Sequence, residues 1–284
     1  MKTLIKNGLL IDSANQVQAY LNLILEDGKV VAVTEEEPEA DRVIDATGKV
    51  VAPGFIDIHM HEDPVKDGKI EFCIFDAMLR MGVTTAVGGN CGINVYDPVK
   101  YLDMVEKDGA PVNVMLFAGH QYFREAAGAL DKYAPVTKEQ QEHMKKGLEK
   151  ALEAGCVGIS YGLRYVPGTG RDEFLDTASC CEKEHRMISA HVRDDEDRVF
   201  GAVAEVAEAG KLYNIPVQVS HIGSMAGFGQ MKQLLRQVDG YRMNGIDVAC
   251  DCYPYFAFST RIGATTYDDG WLERYHCDYS ACQL

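Results

Sequence analysis

One segment indicates the fold of this chain: Pro53-Gly54-Phe55-Ile56-Asp57-Ile58-His59-Met60-His61. Its apolar residues predict a β-strand, and because successive strand side chains point to opposite faces, His59 and His61 share one face. Two imidazoles side by side at the C-terminal end of a strand provide half of a metal site. A His-x-His pair alone is common, so its meaning depends on the residues that follow it.

Short apolar runs alternate with longer amphipathic stretches downstream of this segment. The predicted strands are 54–60, 84–89, 112–118, 156–161, 187–192, 216–222 and 246–252. The predicted helices include Lys138 to Glu153, Asp172 to His185, Asp197 to Tyr213 and Gly229 to Val238. Repeats of roughly 30 residues are the size of one βα unit, and such units form a parallel sheet, open or closed into a barrel. About seven strands are present where a full barrel needs eight, so we predict an α/β fold with a TIM-like (β/α) barrel, incomplete at the C-terminus.

The region upstream of this segment has a different pattern. Residues 3–50 contain short strand-like runs without a helical period, and Asp27-Gly28 marks a hairpin turn between two of them. We therefore predict a small β domain over residues 1–50 and the barrel over residues 51–284.

The composition narrows the class of protein. Apolar residues make up 46% of the chain and charged residues 25%, as in an ordinary globular protein. The net charge of −15 disfavours nucleic acid as a partner. The sequence contains no run of about 18 apolar residues, the length that would predict a membrane-spanning helix. Its first residues become polar too soon for a secretory signal. With nine cysteines, an odd number without repeated spacing, we expect reduced thiols and a cytoplasmic protein. Nothing in the sequence specifies an oligomeric state.

Two further histidines lie at the ends of later predicted strands. His191 closes the strand that begins at Ile188, and His221 closes the next one along the chain. The C-terminal ends of parallel barrel strands lie on one face, where active sites are built. We therefore expect His59, His61, His191 and His221 to converge.

Cys91 is the candidate for a fifth metal ligand. It follows the second predicted strand within Gly89-Asn90-Cys91-Gly92, where glycines let the backbone approach closely. A thiolate at this place can bind zinc, and together with His191 and His221 it leaves a fourth position open for water. The alternative is a buried, inert thiol.

Taken together, these motifs resemble the amidohydrolase superfamily, specifically the N-acyl-D-amino-acid deacylase (D-aminoacylase) family. The matching segments follow the family order over almost the whole chain: Ala52 to His61, Gly89 to Gly92, Gly119-His120, Ile159 to Gly168, His191 to Asp194, Ser220-His221 and Asp251 to Tyr255 through Ser259.

The resemblance implies a fold, a cofactor and an activity. The fold is a metal-dependent hydrolase barrel, with a small β-sandwich domain whose N-terminal half is residues 1–50. Cys91, His191 and His221 would hold one tight zinc, and His59 and His61 would serve a second, weaker site. The implied reaction is hydrolysis of the amide bond of an N-acyl-D-amino acid, a small-molecule substrate. The family's catalytic acid/base is an aspartate on the eighth strand, which we expect beyond the chain end, so no catalytic residue is assigned within the chain.

The resemblance also suggests substrate-binding residues. Tyr253 and Ser259 match family residues near the substrate carboxylate, but Gly223 stands where many members have a lysine. Arg164 and Arg193 lie near strand ends and are candidates to compensate for that lysine. Each of them can equally pair with a neighbouring acidic residue.

Two alternatives stay open. Cyclic amidohydrolases such as hydantoinases and dihydroorotases usually bridge two metals with a carboxylated lysine on strand four, yet the predicted strand 156–161 contains no lysine. The other alternative is a non-catalytic, metal-binding remnant. For the 284-residue chain we expect an inactive fragment.

Overall fold

The computed structural model describes residues 1–283. The chain forms two compact units, Met1–Phe55 and Ile56–Leu284. No helix in the described part of the chain is long and apolar enough to cross a membrane.

The first unit consists of short strands. They are β1 (Lys2–Lys6), β2 (Leu9–Asp12), β3 (Val17–Tyr20), β4 (Asn22–Glu26), β5 (Lys29–Thr34), β6 (Arg42–Asp45) and β7 (Val50–Val51). One sheet has the order β5-β4-β1-β6 and the other the order β3-β2-β7. Asp27 and Gly28 both have positive φ and connect β4 to β5, as the predicted hairpin turn requires. Leu4, Leu10 and Ile24 are buried in this unit.

The second unit contains the parallel strands and a small hairpin. Its strands are β8 (Phe55–Asp57), β9 (Val65–Lys66), β10 (Lys69–Ile70), β11 (Val83–Gly88), β12 (Asn113–Leu116), β13 (Ala118–Gly119), β14 (Gly158–Gly162), β15 (Met187–His191), β16 (Val217–Val219) and β17 (Val248–Cys250). The parallel strands follow the orders β12-β11-β8 and β13-β14-β15-β16-β17. The predicted third strand, 112–118, is thus divided at Phe117, whose amide donates to the Gly88 carbonyl. Within residues 1–283, β8 and β17 each pair on one side only, so the strands do not close into a barrel.

Helices connect these strands. They are α1 (Ile74–Arg80), α2 (Pro98–Asp108), α3 (His120–Ala126), α4 (Lys138–Glu153), α5 (Arg171–Ala178), α6 (Val199–Tyr213), α7 (Ile222–Ala226), α8 (Met231–Met243) and α9 (Trp271–Arg274). The bounds of α4 match the prediction, because Thr137 and Gln140 form a capping box at its start. The predicted helix from Asp172 to His185 was too long, because the chain tightens into a 3-10 turn at Ser179–Cys181 and His185 has a positive φ.

The core of the second unit lies on the parallel strands. Every residue of β14 is buried, and Ile188, Val217 and Val248 on the following strands are at most 1% exposed. This packing against α4 to α8 fixes the strand ends, where the predicted ligands lie.

Candidate metal centre

The structure brings all five predicted metal ligands together. His59 lies two residues after β8, and Cys91 lies in the turn after β11. His191 is the last residue of β15, and His221 lies two residues after β16. Two sets of potential ligands share Cys91: His59, His61 and Cys91, and Cys91, His191 and His221; within each set the ligand atoms lie within 4.8 Å of one another.

The spacing within these sets suits a tetrahedral metal ion. Cys91 Sγ lies 3.5 Å from His59 Nε2 and 3.6 Å from His221 Nε2. Zinc–sulfur and zinc–nitrogen bonds of about 2.3 and 2.0 Å at a tetrahedral angle would separate the two ligand atoms by about 3.5 Å. The His191 and His221 ring centroids are 4.5 Å apart. Buried His191 Nδ1 has no hydrogen-bond partner in the structure, as fits a ring nitrogen that is available to a metal ion.

Two of the ligands have an unusual backbone. Cys91 has φ 57° and His221 has φ 35°, both in the left-handed region that non-glycine residues rarely adopt. Such strain persists only where surrounding contacts impose it, and it concentrates at functional sites. The glycines beside Cys91 also have positive φ, so the whole turn leaves the strand direction and aims the thiol at the histidines.

The electrostatics favour a thiolate at this centre. Burial alone would raise the pKa of Cys91, but hydrogen bonds with the surrounding histidines hold that pKa well below its usual value. Burial and the neighbouring His221 lower the pKa of His191 to about 4, which keeps its imidazole neutral and able to bind a cation. For His59, burial lowers the pKa, but contacts with Asp251 and Cys91 outweigh burial and raise it to about 10.

Asp251 orients ligands of both sets. Its Oδ1 lies 3.3 Å from His59 Nδ1, an ion-pair contact without hydrogen-bond geometry, and accepts the His221 amide at 2.6 Å. Its Oδ2 accepts Gln218 Nε2 at 2.8 Å. A carboxylate on the distal nitrogen of a histidine fixes the ring orientation and tautomer for metal binding. One thiolate and four imidazoles make a donor set that suits zinc better than harder cations.

The predicted substrate-binding residues divide into two groups. Tyr253 and Ser259 line the same cavity as the histidines. Arg164 instead points at Asp194, at 3.3 Å, and Arg193 binds the Glu205 carboxylate at 2.8 Å. Neither arginine is among the residues that line the cavity, and within the described residues that lining contains no lysine or arginine.

Gly223, at the position of the family lysine, is closely packed. A Cβ atom there would lie 2.7 Å from Cys252 Sγ. Any side chain at this position would therefore require Cys252 to move.

The cavity also contains residues that the sequence analysis did not select. Asp195 and Tyr275 line it, and the Tyr275 hydroxyl donates to Asp195 Oδ2 at 2.5 Å. Arg274 Nε lies 3.1 Å from Asp195 Oδ1. Asp195 follows the quoted segment His191 to Asp194 directly, so its position in the sequence was the available signal. Tyr275 carried none, because it is distant from the motifs.

Comparisons with known proteins show similarity to amidohydrolases. A model of the amidohydrolase family matches residues 42–161. N-acyl-D-glutamate deacylase of Alcaligenes xylosoxydans xylosoxydans is 31% identical, over 90% of this chain and 57% of that protein. The structure of N-acyl-D-glutamate deacylase from Bordetella bronchiseptica, complexed with zinc and a phosphonate mimic of the tetrahedral intermediate, has a TM-score of 0.78 and 30% identity, over 89% of this chain and 58% of that chain.

A D-aminoacylase structure, described for a binuclear metal centre with one-metal activation and second-metal attenuation, has a TM-score of 0.79 and 25% identity, over 89% of this chain and 58% of that chain. The chain therefore spans a little more than half the length of these relatives. L-Hydantoinase from Arthrobacter aurescens has a TM-score of 0.65 at 18% identity, a likeness in fold alone.

Proposed function

The chain belongs to the amidohydrolase family, in the group of the N-acyl-D-amino-acid deacylases, and we propose that the whole protein is a zinc-dependent hydrolase of N-acyl-D-amino acids or a related N-acyl compound. The observation that supports this most is the buried Cys91 thiol, which lies among four histidines in the cavity that also contains Tyr253 and Ser259. The proposed domains are residues 1–50 and 51–284.

We assign the tight metal site to Cys91, His191 and His221. His59 and His61 would complete a second, weaker site that shares Cys91. Zinc held by these residues would supply Lewis-acid chemistry, which polarises an amide carbonyl and activates water. Asp251 contacts His59 and accepts the His221 backbone amide, and so it positions ligands of both sites.

The substrate would lie against the aromatic and hydroxyl side chains of the cavity. The Tyr253 and Ser259 hydroxyls are hydrogen-bond donors for its carboxylate. Because Arg164 and Arg193 are engaged with acidic side chains outside the cavity lining, these neutral donors carry that role in the described residues. By the family resemblance, proton transfer to the leaving amine would fall to an aspartate on the eighth strand of such barrels.

We also propose a cytoplasmic location. All nine cysteines are free in the structure, as suits the reducing cytoplasm in which we place the protein.

The proposed function can be tested with two lengths of the protein. A panel of N-acyl-D- and N-acyl-L-amino acids, with hydantoin and dihydroorotate, would be assayed with added zinc on the full-length protein and on the 284-residue chain. We expect the long form to hydrolyse at least one N-acyl-D-amino acid and the short chain to hydrolyse none. Turnover of the cyclic amides alone would favour the hydantoinase-like alternative. Robust turnover by the short chain would place the acid/base within residues 1–284.

A further inference from the structure

Two buried carboxylates follow the His-x-His pair directly. Glu62 is 3% exposed and Asp63 is fully buried, yet neither forms an ion pair with a lysine, arginine or histidine in the described residues. A buried carboxylate without a cation is costly unless several N–H groups donate to it. The two carboxylates meet this need with different parts of the chain.

Glu62 binds both ends of the turn that carries Cys91. Its Oε2 accepts the Gly89 amide at 2.7 Å, and its Oε1 accepts the Val95 amide at 3.1 Å. Asn94 Nδ2 also donates to Oε1, at 3.3 Å. The turn between Gly89 and Val95 is not part of a β-sheet. The Glu62 carboxylate joins its two ends through these hydrogen bonds.

Two consecutive glycines make room for this carboxylate. A Cβ atom at Gly88 would lie 3.0 Å from Glu62 Oε2 and 2.9 Å from Leu116 Cδ2. At Gly89, where φ is +73°, a Cβ atom would clash with Asn94 Nδ2 and the Phe117 carbonyl. The absence of side chains at the end of β11 and at the next residue therefore leaves space for Glu62 and its partner Asn94.

Asp63 holds a different element. It accepts the amides of Cys73, Ile74 and Phe75 at 3.1, 2.8 and 2.9 Å, which are the first donors of α1. Asp63 thus caps a helix, whereas Glu62 binds the Cys91 turn, although the two residues are adjacent and equally buried.

We propose that Glu62 is a positioning residue for metal binding, which ties the Cys91 turn to the His59–His61 segment and holds Cys91 in its left-handed conformation. Glu62 is bonded covalently to His61 and through hydrogen bonds to both ends of the turn. The ligand that the two sets share therefore moves together with the His-x-His pair. This inference rests on the metal centre proposed above.

The test compares two isosteric variants by cobalt binding. Co²⁺ replaces zinc as a spectroscopic probe, and its thiolate-to-metal charge-transfer band reports coordination by Cys91. Glu62→Gln presents one acceptor oxygen instead of two, so either Gly89 or Val95 loses its partner. We expect a Co²⁺ affinity about 10- to 100-fold weaker, the range seen when outer-shell partners are removed, with a weaker charge-transfer band at saturation. Asp63→Asn should lower the thermal midpoint and leave both the affinity and the band unchanged.

The outcomes are distinct. A Glu62→Gln protein with wild-type affinity and spectrum would overturn the proposal, and so would an equal loss in Asp63→Asn, which would indicate general destabilisation. If Glu62→Gln does not fold, Glu62→Asp keeps the charge, withdraws the carboxylate from the Gly89 and Val95 amides and should show the same loss to a smaller degree; an unchanged band there would also overturn the proposal. A wild-type chain without a charge-transfer band would refute the metal centre itself.

Discussion

The two ligand sets that share Cys91 are held by the fold in different ways. His191 ends a five-residue strand inside a five-stranded sheet, and its side chain is 7% exposed. His59 and His61 follow β8, a three-residue strand at the edge of its sheet, and His61 is exposed. His59 and His221 are alike, since each lies two residues after its strand, so the two sets differ in buried His191 against exposed His61. A ligand fixed by a packed strand loses little freedom on binding, whereas an exposed loop ligand must be ordered at that moment. The comparison predicts that the Cys91–His191–His221 set binds first and more tightly.

The largest expected effect comes from removing the shared ligand. Cys91→Ala should abolish nearly all stable metal binding, because both sets lose their thiolate. Elemental analysis of the protein after gel filtration measures this. Cys156→Ala is the matched control: Cys156 is equally buried, and burial raises its pKa to about 12, so it is an inert thiol. Equal metal in wild type and Cys91→Ala would remove Cys91 from the site.

Substitutions of the histidines should affect the two metal sites differently. His191→Ala should weaken the first zinc equivalent by more than the roughly 100-fold that outer-shell changes cause, since it removes a direct ligand. His59→Ala should leave the first equivalent in place and weaken only a second one. Competition titration with a chromophoric chelator gives both constants. If the two variants lose the same equivalent to the same extent, the distinction between a tight and a weak set is wrong.

Asp251 offers an intermediate effect because it contacts both sets. Asp251→Ala should weaken zinc binding about 10- to 100-fold at each site. Asp251→Asn can still accept from the His221 amide and should recover part of the loss at the Cys91–His191–His221 set. The same titration applies, with circular dichroism as the folding control. A loss confined to the His59 set would show that the bond to the His221 amide is dispensable.

The smallest effect concerns Gly223, next to the His221 side of the cavity. Gly223→Ala should cost about 1 kcal/mol of stability, at the low end for overpacking, because the exposed Cys252 side chain can partly give way. Urea denaturation measures the change. Adding Cys252→Ala should recover it, and a double variant as unstable as the single one would show that the contact with Cys252 is not the cause.

Strand positions were more predictable than strand ends. The predicted strands 187–192 and 216–222 correspond to Met187–His191 and Val217–Val219. His221 lies outside its strand because its left-handed backbone leaves the sheet ladder. The alternation of apolar residues in the sequence locates the buried middle of a strand. It does not locate the strand end, where the backbone leaves the sheet and turns towards the metal centre. The segment 54–60 likewise yields only three strand residues, Phe55–Asp57.

The sequence by itself determined which side chains can form the metal centre. The two-residue spacing keeps His59 and His61 together in the segment that follows β8, and the βα repeat brings Cys91, His191 and His221 to the same end of the parallel strands. These rules depend only on the spacing of residues along the chain, which the sequence gives directly.

Only the tertiary structure decided how those ligands are held and which charges reach the cavity. It pairs Glu62 with Gly89, 27 residues away, and turns Arg193 towards Glu205. A carboxylate or guanidinium has several partners of equal chemistry along the chain. Which partner it binds depends on differences of a few tenths of an ångström in the distance between donor and acceptor. Those distances are set only after the helices and strands have packed together.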